Sequence, residues 1–440
     1  MIEKTVKCET ITPLISRSLD FTMTNNNDYK IYNFELRPQS VKGVLHFWFR
    51  AVAPRIIDVF NLNFDNVKSE ERKKEIQKIY GEMEYKGLRY LESLIFGSQE
   101  QKAPFGLSVQ YNTQDIIEIG EIQGGKFSVN SEEFEKSFLY ALYGTYATAK
   151  EKFVVRCLKS HANFELTFRV KNEDLWEVIL SLLKLVSVLG GFGAKTTKGF
   201  GQFKIVGIEG ENTFNFNRSQ YTTKEEIQSL LKKTEDILRK YIEKFDTDKL
   251  LKLEKSSSID FPNLLDESFE FFESTVTGKE NWKKVMEELY KISQDAQENG
   301  VYKKIKLKLR YYKQSDVVKL LINCLDGRSK EVNVFPALLG MPLQYQNLKS
   351  KISKVTFYPY VRGEINDRGR KPSPLRIIIN TGKAQGDRWA AYFLILKSKV
   401  TQDNSLKHDF EKSFSSKLIL TFDDLVKLLD DFKLEGGVSH

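Results

Sequence analysis

Cysteine is nearly absent: the 440 residues hold three, Cys8, Cys157 and Cys324, too scattered for a disulfide framework or a paired metal-ligand spacing. That scarcity excludes a small disulfide-held secreted module and fits a reducing compartment. Histidine is equally sparse, with His46, His161, His408 and His440 far apart, so no metal site is read from the sequence. Cys157 and His161, four apart across a turn, are taken as structural. Long hydrophobic runs are missing too. The longest apolar stretches, 377–379 and 389–396, fall far short of the roughly 20 residues a membrane helix needs, so no membrane partner is expected. The opening MIEKTVKCETIT alternates like a strand and lacks a basic-then-apolar leader pattern, which predicts a cytoplasmic protein. With 41 % hydrophobic and 12 % aromatic residues the chain can nevertheless build two or three cores, which excludes disorder as its main state.

Net charge is small for this length. The 68 basic and 59 acidic residues leave +9, and positions 349–399 alone carry twelve Lys and Arg against three Asp and Glu. The rest of the chain is therefore neutral. One cationic segment on a neutral body points to an anionic partner; a solvated loop beside a strand is the plainer alternative for such a run.

Apolar periodicity predicts strands over 5–11, 105–111, 153–158, 164–170, 202–208, 303–311, 354–360, 375–380 and 389–396, with 153–158 and 164–170 paired around a turn. Helices are predicted over 40–57 with Ser40 as N-cap, and over 69–80, 175–189, 223–253, 279–292 and 421–432. Strands and helices recur in both halves, so the fold class is α+β with two domains side by side. They are placed at 1–210 and 301–440, with a helical insertion or junction at 211–300.

Two stretches carry chemistry. GGFGAKTTKGFG, residues 190–201, combines five glycines, two lysines and two threonines with no acid. Glycine lets backbone amides approach a phosphate, threonine hydroxyls donate and lysines neutralise, which makes Gly191, Gly193, Lys195, Thr196, Thr197 and Lys198 the candidate contacts. This is no P-loop, because Ala194 precedes Lys195 and Leu189 stands at the first glycine of that motif. Nor is it a dinucleotide fingerprint, because Thr196 replaces the third glycine. A helix C-cap and tight turn would account for some glycines but not for the cationic content.

RPQSVKGVLHFWFRAVAPR, residues 37–55, is the second acid-free stretch. Lys42, His46 and Arg50, spaced by four, form a stripe on one helix face. The helix start at Ser40, Val41 and Lys42 favours phosphate, and Phe47, Trp48 and Phe49 are read as core. His46 has no partner for acid–base chemistry nearby in sequence, so it is assigned a contact rather than a catalytic role.

These residues resemble a known family. Arg37-Pro38-Gln39-Ser40-Val41-Lys42-Gly43 with Leu45-His46-Phe47-Trp48-Phe49-Arg50-Ala51, then Leu94-Ile95-Phe96-Gly97 ahead of a strand, then the glycine loop, are together similar to subunit one of the type III-B CRISPR effector. That effector is the Cmr complex, and the family belongs to the RAMP superfamily. Arg370-Lys371-Pro372-Ser373-Pro374-Leu375 resembles a further family element. The resemblance implies two ferredoxin-like (RRM-like) domains with the helical insertion between them and a glycine-rich RNA-binding loop. It also implies guide RNA and target RNA as ligands, other RAMP subunits of the Cmr complex as partners, and cutting of the target by those other subunits. The expected RNA contacts are then Arg37, Ser40, Lys42, Gly43, His46, Arg50, the loop residues above, and Arg368, Arg370 and Lys371. Two departures stand out. His46 occupies a family arginine position and is mostly neutral at pH 7. Lys195 and Lys198 replace common arginines, keeping charge but losing bidentate geometry.

The sequence reading is thus a non-catalytic RNA-binding subunit of a CRISPR ribonucleoprotein in antiviral defence, with no cofactor, metal or catalytic residue. Its rivals are a metal-independent RAMP endoribonuclease that processes guide precursors with His46 as acid or base, and a scaffold that binds an acidic protein.

Overall fold

The computed structural model describes residues 1–23, 30–123, 126–129, 134, 136–142, 153–211, 213–312, 316–339, 343–349, 352–359, 373–381, 388–399, 405–409, 414–419 and 421–434. It is a mixed α/β fold with several sheets. The first is antiparallel, with Phe105–Tyr111, Asn163–Val170, Ile2–Thr10 and Phe203–Ile208 side by side in that order. Alternation builds it: Phe164, Leu166, Phe168 and Val170 are buried while their neighbours reach outward. Helices Pro38–Val52 and Glu173–Leu189 join the core beneath. The second begins cleanly, because the Asn172 side chain accepts from the Leu175 amide at 2.9 Å and Glu173 and Asp174 complement the helix dipole. The chain order of this unit is strand, helix, strand, strand, helix, strand.

The second unit repeats that order in reduced form. Phe269–Glu273, Trp389–Leu396 and Leu375–Thr381 lie side by side and antiparallel, with helix Trp282–Tyr290 following the first strand and Phe422–Leu429 following the last. After that helix a single bridge pairs Lys433 with Ser274. Both faces of this sheet are covered. Ile378, Tyr392 and Leu394 enter the first core, while Ile377, Ile379, Phe393 and Ile395 enter a second core with Trp282, Tyr302 and Leu425. Double burial explains why these two strands read as unbroken apolar runs rather than alternating ones. Among the described residues no helix is long and apolar enough to cross a membrane.

Several sequence expectations are corrected. The stretch 303–311, read as a strand, is helix Val301–Arg310. Ile305, Leu307 and Leu309 alternate with lysines, but Val301, Tyr302, Ile305 and Leu309 are the buried set, at helical spacing, and Lys and Leu are good helix formers. Strand Phe153–Leu158 does not pair with Asn163–Val170; it joins a separate sheet between Lys30–Phe34 and Ile116–Gln123. Periodicity identifies a strand without choosing its partner, and here the Thr10 hydroxyl, bonded to Lys159 O at 2.6 Å, helps redirect the chain. The helix expected over 40–57 is Pro38–Val52 plus the short turn Ala53–Arg55; Arg37 is the N-cap, so Ser40 lies within the first turn behind Pro38. Helices read over 223–253, 279–292 and 421–432 are shorter: Lys224–Phe245, Trp282–Tyr290 and Phe422–Leu429. The interval 211–300 is not a separate helical insertion. Ile227, Leu231 and Leu238 of Lys224–Phe245 enter the first core, Arg55 pairs with Glu235, and strand Phe269–Glu273 already belongs to the second unit.

A buried amide is among the groups that clamp the units. Gln202 Nε2 donates to Ile377 O at 2.9 Å, and Ile379 N donates to Gln202 Oε1 at 2.8 Å. Beside it the Arg376 guanidinium lies 4.5 Å from the Phe47 ring centre and 5.2 Å from that of Trp48.

Candidate nucleic-acid interface

The glycine loop is built mainly by its own backbone. Gly193, Gly199 and Gly201 take φ of 86°, 89° and 67°. At Gly201 a Cβ would collide with Phe192 O, so only glycine closes the turn. Phe192 N donates to Gly201 O at 2.9 Å, Ala194 N to Ile15 O at 2.7 Å, Gly201 N to Pro13 O at 2.9 Å and Lys198 N to Lys195 O at 2.8 Å. Among the candidate contacts, the Lys198 amide is thus committed inside the protein. The charge of the loop lies in its side chains.

Lys198 turns inward. Its ammonium meets the Tyr302 hydroxyl and sits 3.6 Å from that ring's centre, while Tyr290 donates to Lys198 O at 2.9 Å. Burial, with Lys306 and Lys195 nearby, drives the Lys198 pKa well below the usual lysine range. Helix Val301–Arg310 supplies more cations at the same place. Lys303 and Lys306 lie 5.6 and 5.1 Å from the Tyr140 ring centre, and the Tyr140 and Tyr302 rings are 6.0 Å apart. Burial, then Lys303 and Lys195, push Lys306 down to about 8. Among the described residues no carboxylate pairs with Lys198, Lys303 or Lys306. Like charges crowded on aromatic faces without a counter-ion favour an incoming anion. Sequence reasoning missed Lys303, Lys306, Tyr140 and Tyr302. The run KKIKLK was the available signal, and the strand reading hid it.

The stripe on Pro38–Val52 has a different fate. Helix Lys86–Phe96 brings the buried Glu92 against it, with Glu92 Oε1 3.0 Å from His46 Nε2, and Glu92 Oε2 3.2 Å from Arg50 Nη2 and 3.1 Å from Arg89 Nη1. Burial would raise the Glu92 pKa, but the neighbouring His46 and Arg50 bring it down to about 2. Lys42 Nζ donates to Phe96 O at 2.9 Å, capping the end of the same helix, and lies 5.0 Å from the Phe105 ring centre. The amides of Ser40 and Val41 both bond to Arg37 O, at 2.9 and 3.2 Å, so they are not offered to a phosphate as expected. Gly43 is exposed with open space at its Cβ, and Arg37 keeps a buried Nε without a partner. The structure thus brings Lys195 and Lys198 together with new cations and ties Lys42, His46 and Arg50 to a neighbouring helix. Arg368, Arg370 and Lys371 lie outside the described residues. Arg376, counted in the same basic segment, is buried in the seam between the units.

Among the described residues no group of three His, Cys, Asp or Glu could hold a metal. His161, expected beside Cys157, instead pairs with Glu9 at 3.0 Å.

Residues 7–204 match the RAMP superfamily model. No curated protein matches the sequence. Among solved structures the chain is similar to Cmr1 from Pyrococcus furiosus in its apo form, at 16 % identity over 97 % of this chain and 96 % of that one, with a TM-score of 0.49. A chain of the type III-B Cmr-beta complex, solved with cognate target RNA and AMPPnP in the presence of ssDNA, is similar at 13 % identity over 97 % and 98 %, with a TM-score of 0.46. Cmr6 from Pyrococcus furiosus shares 17 % identity over 46 % of this chain and 98 % of its own, with a TM-score of 0.26.

Proposed function

We propose, from the match of residues 7–204 to the RAMP superfamily model, that the protein is a non-catalytic RNA-binding subunit of a type III-B CRISPR ribonucleoprotein. It contacts guide or target RNA through the backbone, with other RAMP subunits as neighbours. The observation that carries this reading is the cluster of Lys195, Lys198, Lys303 and Lys306 around Tyr140 and Tyr302. Lys303 and Lys306, which pair with no carboxylate among the described residues, can meet phosphate as point charges above the buried Tyr302. We read the two strand–helix–strand–strand–helix–strand units as ferredoxin-like domains, the second with its last strand reduced to one bridge.

Single-stranded RNA binding measured against salt tests the reading. Replacing Lys195 and Lys306 with alanine should weaken binding and flatten the log–log salt slope by about 0.7 per lost phosphate contact. An unchanged slope in a folded variant removes the cluster from the interface. Cleavage of RNA by the isolated chain in chelator would favour the endoribonuclease rival. Ribonuclease-resistant capture of an acidic subunit, without RNA affinity, would favour the scaffold.

A further inference from the structure

A second polar site lies at the seam, away from the lysine cluster. It is a cavity of about 250 Å³ lined by Glu9, His161 and Lys204 from the first unit and by Asn380, Thr381 and Trp389 from the second. Glu9 holds its rim together: Oε1 is 3.0 Å from His161 Nδ1, and Oε2 is 3.0 Å from Lys204 Nζ. Burial would raise the Glu9 pKa, but these two partners lower it and keep the carboxylate ionised. His161 adopts φ 58°, a left-handed conformation costly for a residue with a Cβ, and its amide donates to Thr10 O at 2.8 Å. That turn conformation places the imidazole at the rim.

Charge and shape then narrow the ligand. Arg218 also contributes to the wall; its guanidinium nitrogens are buried and make no hydrogen bond. Its charge still acts on the cavity through a medium that screens poorly. With Lys204 against Glu9 the site is net positive and suits an anion. Ile11, Ile205 and Phe216 form apolar wall, and Asn217 and Asn380 add side-chain amides, of which Asn217 Oδ1 already accepts from the amide of Ser219, another wall residue, at 3.0 Å, and Asn380 Nδ2 donates to Arg218 O at 3.1 Å. Apolar walls with a few amides are the surroundings of a heteroaromatic ring whose edge needs hydrogen bonds. The volume admits one nucleobase and is too small for two stacked nucleotides.

We propose that this cleft captures one unstacked ribonucleotide of single-stranded RNA, its base between the apolar walls and the amides of Asn217 and Asn380, its phosphate at Lys204 and His161. The proposal rests on the RNA-binding reading above and names a separate subsite for it. A base drawn out of the strand would anchor register, while the lysine cluster follows backbone.

The full-length chain carries its own reporter. Trp389 lines the cavity, whereas Trp48, Trp176 and Trp282 are buried elsewhere. Titration with AMP, GMP, CMP and UMP should change tryptophan emission saturably for at least one of them, and inorganic phosphate alone should not. Lys204→Glu, which repels the phosphate, and Ser219→Phe, which fills the cavity from its wall at Ser219, should each weaken that binding tenfold or more. The proposal is overturned if no mononucleotide binds the wild type, if both folded variants bind as the wild type does, or if inorganic phosphate competes as well as a mononucleotide. Should a variant fail to fold, the wild-type titration and the phosphate competition decide. Retained salt-sensitive binding of long RNA without mononucleotide binding withdraws only the cleft. Loss of both withdraws the RNA-binding reading itself.

Discussion

The stripe on helix Pro38–Val52 and the loop at 190–201 read alike in sequence, basic and free of acid, yet they fold into unlike surroundings. Helix Lys86–Phe96 lays Glu92 against His46 and Arg50 and offers its last carbonyl to Lys42, so that the stripe becomes an interhelical joint. Helix Val301–Arg310 lays Lys303 and Lys306 beside the loop, so that cations gather there while burial and their mutual repulsion lower the pKa values of Lys198 and Lys306. Local composition therefore ranks neither surface. What arrives from distant sequence settles whether a cation is spent on the fold or left for a ligand.

The largest expected effect sharpens that division. Trp48 is buried at the joint with Arg376 over its ring, so Trp48→Ala should cost about 3–5 kcal/mol in chemical denaturation. The salt slope of RNA binding by the remaining folded protein should not move. A change in slope without loss of stability would put this helix in the RNA interface.

Glu92→Gln comes next. Breaking a fully buried pair typically costs about 3–5 kcal/mol; since His46, Arg50 and Arg89 partly reach solvent, we expect about 2–3 kcal/mol. The pH dependence has a definite sign. The folded pKa of about 2 lies below the ordinary 4.5, so the Glu92 contribution is complete above pH 4.5 and is lost as pH falls toward 2. Wild-type stability should fall through that window more steeply than that of the variant. Parallel curves would mean that Glu92 does not hold the stripe, and the comparison would lose its structural side.

The smallest effect concerns the cluster. With Lys306 at about 8, its positive form dominates at neutral pH and is depleted at higher pH. RNA affinity should be full below pH 7 and drop roughly tenfold by pH 9, the worth of one charge-assisted hydrogen bond. Lys306→Ala should flatten that profile. If the profile persists in the variant, another group titrates at the interface.

Much of this was legible in the chain itself. Alternation located Asn163–Val170, helical spacing over 175–189 located Glu173–Leu189, and the apolar runs at 375–380 and 389–396 were read as the strands they are. The glycines of 190–201 stood out in the sequence, and the structure shows that Gly193, Gly199 and Gly201 take positive φ angles in a tight turn.

The sequence by itself determined many of the secondary elements and the cationic composition of the glycine loop, because propensity, periodicity and turn chemistry act over a few residues. Only the tertiary structure decided that 303–311 is helical, that Phe153–Leu158 leaves its neighbour for another sheet, and that Glu92 neutralises one basic stretch while Lys303 and Lys306 reinforce another. The physical reason is common to all three. Burial, strand pairing and Coulomb interaction depend on distance in space, and Glu9 with Lys204, or Lys198 with Tyr302, become neighbours only when the chain closes.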